Sequence, residues 1–320
     1  MADNLPVSEP NWYISLIQGT TAIPTAIAKL IETVGTQTGL FLEPTHVRRK
    51  GQAEADVTVA KAKAEAEIAV LQLENRLVIQ DRQDRADERT RRREAKRQKN
   101  IEAITAQAAQ LLLPESVSEE SVDEDWIAQF FNHCQDVSNE QMQSLWARLL
   151  AGEVAQPGSF SLRTLAFVRT ISKEDASLFT RFCSTVWQTP EGLTPIVEAG
   201  YFATLFREEN LMSGVQLGYT DLARLDTLGL IRYDMTKPHR LEVPRDHGLV
   251  CSYHGHSYIL LRHRESDYLI TGFVALTEVG KELAGIAGSP PNEEYLSSVL
   301  SSYRRVGWEM VEIPSSEKSG

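Results

Sequence analysis

QDRQDRADERTRRREAKRQKN, residues 80–100, holds nine Arg and Lys against five Asp and Glu, and its only apolar members are Ala86 and Ala95. These are helix-forming side chains with almost nothing to bury. The stretch therefore reads as part of a long helix that projects away from a core. Upstream, Val59, Ala62, Ala66, Ala69, Leu73 and Leu77 recur at three- and four-residue steps. That narrow stripe is the pattern of a coiled-coil seam, expected to join copies of the chain. Downstream the stripe resumes at Ile101, Ile104, Ala108, Leu111 and Leu112. Residues 46–113 contain no proline and a single glycine, Gly51, so one long charged helix is expected, with a bend near residue 80 or 100 as the alternative.

Around this helix the chain divides into further segments. Residues 1–45 read as short apolar helices. The run from Trp12 to Ala28 is 17 residues without a charge, but it carries Gln18, Gly19 and Pro24 and falls short of the about 20 apolar residues a span requires. A buried or peripheral helix is expected there, not a membrane crossing. Residues 114–188 read as a compact helical domain behind an acidic, serine-rich linker. Its first helix carries Trp126, Ile127, Phe130, Phe131 and Cys134, and its second carries Met142, Leu145, Trp146, Leu149 and Leu150 and ends at Gly152. A capping box from Ser138 to Gln141 opens the second helix, and Ser161 and Ser172 cap the next two. Residues 189–313 alternate a short helix, strand-like runs and two more helices, the order of a winged-helix-like α+β module. Residues 314–320 read as a disordered tail. The fold class expected is mainly α with a smaller α+β part.

Composition limits the function. A net charge of −11 argues against general affinity for nucleic acid or acidic membranes. Three widely separated cysteines, Cys134, Cys183 and Cys251, point to a reducing compartment without disulfides. The first eleven residues have no basic signal region, and a cytoplasmic location is expected. No phosphate loop, dinucleotide fingerprint, nucleophile elbow or HExxH motif occurs, so neither a cofactor nor an enzymatic activity is expected.

Two residue groups carry candidate chemistry. Arg89, Arg91, Arg92, Arg93, Lys96, Arg97 and Lys99 form a basic segment able to neutralise phosphates, with interleaved acids such as Glu88 and Glu94 arguing for a solvated helix face instead. Cys251, His254 and His256 are the residue types of zinc ligands. Strand alternation sets Cys251 on the face opposite the histidines, and a turn at Gly255 separates them further, so exposed hairpin histidines are expected rather than a metal site. Glu140, Arg148, Glu153 and Arg163 have polar types suited to acid–base work, but structural pairing is the expectation. Trp146 reads as core.

NIEAI from Asn100, EDWIAQFF from Glu124, VSNEQMQSLWARLLAGE from Val137 and PGSFSLRTL from Pro157 together resemble the bacterial family catalogued as domain of unknown function 2806. The segment GLFLEPTHVRRK from Gly39 is similar to that family too, and the resemblance is strongest over 35–183. It implies no catalytic residue. A likeness of the short helices to modules of abortive-infection proteins implies a phage- or stress-response role. The resulting expectation is a non-enzymatic interaction protein that self-assembles through its long helix and meets a protein partner. A nucleic-acid-binding protein using 89–99 and a membrane-acting effector using 12–42 are the alternatives.

Overall fold

A computed structural model describes residues 29–30, 59–112, 118, 120–199, 212, 214–262 and 267–314, with side chains described in the first helix at residue 76 and from residue 78 onward. Most of 1–45, the stretch 46–58, the side chains of Val59, Ala62, Ala66, Ala69, Leu73 and Leu77, His263 and the tail from 315 lie outside the described residues. The chain forms two compact units, residues 1–155 and 156–320.

In the first unit, α1 (Val59–Leu111) is a single uninterrupted helix of 53 residues, roughly 80 Å at 1.5 Å per residue. Its Ile101, Ile104, Ala108 and Ala109 are buried against α2 (Glu124–Cys134) and α3 (Glu140–Ala155). The helix does not break near 80 or 100, where no proline or glycine stands to interrupt the hydrogen-bond ladder. Leu111, expected on the buried stripe, is 49% exposed at the last helical position, whereas Leu112 is buried.

The five apolar residues of α2 are all buried, with Trp126 stacked on Phe130 and Phe130 edge-on to Trp146. Helix α3 starts on a different cap from the one expected. Asn139, not Ser138, accepts from the Met142 N–H at 3.2 Å. Ser138 Oγ instead accepts from the Asn100 amide, which also donates to the Gln135 carbonyl. Gly152 does not end α3, which continues to Ala155 and buries Glu153 and Val154.

The second unit holds the remaining elements. Helices α4 (Leu162–Thr170) and α5 (Lys173–Cys183) begin on Ser161 and Ser172, whose hydroxyls accept from the N–H groups of Thr164 and Asp175. The division at 155/156 falls inside the stretch 114–188 read as one helical domain. The reason lies in packing: α4 and α5 pack on helices of the second unit, α7 (Glu278–Ala284) and α6 (Tyr219–Thr227).

An antiparallel sheet has the order β2-β1-β5-β6-β9, built from β1 (Val186–Thr189), β2 (Gly192–Pro195), β5 (Leu249–Tyr253), β6 (His256–Arg262) and β9 (Trp308–Glu312). Two further pairs join β3 (Ile231–Tyr233) to β8 (Val274–Leu276) and β4 (His239–Glu242) to β7 (Tyr268–Gly272). Strands β7 and β8 are separated after Gly272, whose φ of 134° is a value that L residues avoid.

One face of the large sheet buries Trp187, Cys251, Tyr253, Tyr258, Leu260 and Met310, and α8 (Glu293–Arg305) contributes Tyr295, Val299 and Tyr303 to the core. The Tyr295 hydroxyl accepts from the Trp187 indole at 2.9 Å and donates to the Ile196 carbonyl at 2.5 Å. Tyr303 meets the carbonyls of Val197 and Ile270. These hydroxyls satisfy backbone groups that would otherwise be buried without partners.

Candidate functional site

The basic segment lies on the part of α1 before its buried stripe. Arg89, Arg91, Arg92, Arg93, Lys96 and Lys99 are exposed, and Arg97 is half-buried. Arg97 grips Asp136 with two hydrogen bonds of 2.8 and 2.9 Å and also meets Glu94, so it ties α1 to the turn after α2. The Arg97 guanidinium beside it holds the Asp136 carboxyl below its ordinary range. Arg92 bonds Glu88 at 2.6 Å, one turn earlier, and Arg91 and Arg93 make longer pairs with Glu88 and Glu94. Arg89, Lys96 and Lys99 form no ion pair within 4 Å among the described residues. The seven residues are thus brought onto one element but not into one role.

The histidine hairpin holds no metal geometry. His254 and Gly255 occupy a two-residue turn with φ of 46° and 86°, flanked by the paired residues Tyr253 and His256. Two left-handed residues match the twist of adjoining strands, which is why the turn sits there. Cys251 is buried on the core face, and burial pushes its thiol up to about 11. His254 is exposed at the turn, and His256 faces Glu312 of β9 at 2.9 Å. Among the described residues no group of three His, Cys, Asp or Glu is placed to hold an ion.

Trp146 is fully buried, as read from its spacing. Arg148 is half-buried on α3, and burial lowers its pKa; Glu153 is buried on the same helix. The charges of α6 are engaged locally. Arg224 meets Asp175 at 2.5 Å and Arg181 meets Asp221 at 3.7 Å. Burial raises the Asp175 pKa, but hydrogen bonds from Ser172 and Arg224 outweigh it and hold the carboxyl below its ordinary range.

Sequence spacing gave no sign of a second feature, a cleft of about 550 Å³ beside the β4–β7 pair, lined by Glu191, Arg240, Glu242, Arg245, Asp267 and Tyr268 among others. The Arg240 guanidinium lies 4.4 Å over the Tyr268 ring. Asp267 receives Arg245 at 2.5 and 2.7 Å and Arg262 at 2.6 Å, and these hydrogen bonds lower its pKa to about 2. A carboxylate so committed is a poor general base.

The family model described as "Protein of unknown function (DUF2806)" matches residues 84–300. The chain belongs to this family. No curated protein and no solved structure matches it. The DUF2806 match includes residues of both units, starting within the charged part of α1 and ending within α8. It contains the basic segment and the histidine hairpin, and the Val59–Leu77 stripe precedes it. Among the described residues no helix is long and apolar enough to cross a membrane, and the stretch 12–42 lies outside them apart from residues 29–30.

Proposed function

We propose that this DUF2806 protein is a non-enzymatic interaction protein that assembles with copies of itself through the first half of α1. The observation that carries this reading is the helix itself. It runs unbroken through 53 residues, and among its described side chains the first buried one is Asn100. Val78 and Ile79 are 48% and 53% exposed on it. A helix segment without tertiary cover is marginal in water, because most helical stability in proteins comes from packing an apolar face. The Val59–Leu77 stripe supplies such a face, with the small and branched residues of a close helix pair.

The second unit supports a role in protein contact. Helix α6, the β3–β8 pair, the β4–β7 ribbon and α7 follow in the order read as winged-helix-like, but Arg224 and Asp221 of α6 pair with Asp175 and Arg181. A reading helix for DNA would carry free cations. The cytoplasmic setting and the phage- or stress-response role implied by resemblance belong to the same proposal.

Light scattering across a concentration series tests self-assembly. The intact chain is expected to be a dimer or larger, and Ala69→Glu with Leu73→Lys is expected to shift it to monomer. Those two changes spare Ile101, Ile104 and Ala108, so the first unit keeps its core. An intact chain that stays monomeric at every concentration overturns the reading.

A further inference from the structure

The continuity of α1 changes the meaning of its charges. Wound at roughly 100° per residue, Arg82, Arg85, Arg89, Arg92, Arg93 and Lys96 fall within an arc of about 100°, and Lys99 borders it. None of the five acids of residues 80–100 falls inside that arc. Asp81 and Glu88 sit at its edge, where they pair with Arg85 and Arg92, and Asp84, Asp87 and Glu94 lie on the far side. Charges that alternate along the sequence therefore separate around the helix. All seven cations are exposed, and Arg82, Arg89, Lys96 and Lys99 make no ion pair among the described residues.

We infer that this row is a binding face for the phosphate backbone of a nucleic acid. Arg82, Arg85, Arg89, Arg92, Lys96 and Lys99 follow at steps of three and four residues, one cation per roughly 5 Å over about 25 Å of unbroken helix. A repeating row of that kind complements a linear polyanion better than it does a single anion. Four of its members are arginines, whose planar guanidinium groups take phosphate oxygens in pairs. Residues 80–100 contain no aromatic side chain, so the row itself supplies phosphate contacts without base stacking, and the binding is indifferent to sequence. An anionic membrane is the poorer fit, because a surface-lying helix needs an apolar face and this stretch has only two alanines. The row, residues 82–99, lies beyond the Val59–Leu77 stripe along the chain and shares no residue with it. The inference stands apart from self-assembly.

The test uses the full chain, a fluorescent duplex and a single strand of mixed sequence, and vesicles containing phosphatidylserine, each titrated from low to physiological salt. Two variants lower the net charge equally: Arg82→Gln/Arg89→Gln/Lys96→Gln on the row, and Gln80→Glu/Arg91→Gln/Ala95→Glu off it. The intact chain is expected to bind nucleic acid at low salt with a steep salt dependence. The on-row variant is expected to lose about tenfold or more in affinity and to flatten the salt slope by about three, close to one per lost phosphate contact. The off-row variant is expected to lose less than about twofold. Circular dichroism of both variants shows whether α1 is intact. No binding at low salt, equal losses in both variants, or binding to vesicles without binding to nucleic acid each overturns the inference.

Discussion

Tyr295 shows how much a single buried hydroxyl can organise. It is fully buried on α8, and its oxygen joins the Trp187 indole of β1 to the Ile196 carbonyl just after β2. Tyr295→Phe leaves that indole N–H and that carbonyl without their partner. A loss of about 1–3 kcal/mol is expected in a urea-unfolding experiment. Asp267 acts on the surface and through pH. Hydrogen bonds from Arg245 and Arg262 bring its folded pKa from the ordinary 3.8 down to about 2. A depressed carboxylate contributes stability above its unfolded pKa and loses it as pH falls through the folded one. The urea midpoint should therefore decline between pH about 4 and 2, and Asp267→Asn should flatten that decline. An unchanged acid limb in the variant would exclude this pair as its source.

At the scale of elements, α7 is placed by a contact that needs glycine. A Cβ on Gly280 would lie 1.9 Å from the Leu230 carbonyl oxygen, a backbone atom that cannot swing aside. Gly→Ala within a helix ordinarily stabilises by about 1 kcal/mol. Here the sign should reverse, with Gly280→Ala costing about 3 kcal/mol in a chemical melt.

Elements with periodic apolar residues or strong caps were legible in the sequence. The five buried residues of α2 and the caps at Ser161 and Ser172 are examples. The β1–β2 hairpin was missed, because Val186–Pro195 has one large buried side chain, Trp187, and no alternating run. The cap of α3 was misplaced by one residue, since Ser138 and Asn139 are both good caps and only the Asn100 amide decides which side chain is free.

For the whole molecule, the sequence marked the basic segment and its interleaved acids but not their arrangement around the helix. Arg82 and Arg85 stood outside the residues singled out, and acids interleaved in one dimension looked like neutralisation. Only an unbroken helix turns that alternation into two faces. The domain division was hidden for a related reason: α4 and α5 belong with partners far along the chain, and no local pattern records that. Chemistry common to both units offers a check on the fold. Cys134, Cys183 and Cys251 are free and buried, and burial raises all three thiols. A thiol reagent at pH 8 should leave the native protein unmodified and label three sites once denaturant is added. Rapid native labelling at any of the three would contradict its burial.

The uninterrupted passage of α1 through residues 80–100 also makes that stretch a keyed shaft. Apart from Arg97 and the buried Asn100, almost any helix former fits there without disturbing a core, yet the number of residues is fixed. Removing one would rotate everything upstream by about 100° against the packed stripe at Ile101 and Ile104, whereas removing seven would nearly restore the angle and shorten the shaft by about 10 Å. Away from its cations, the segment constrains length more tightly than it constrains composition.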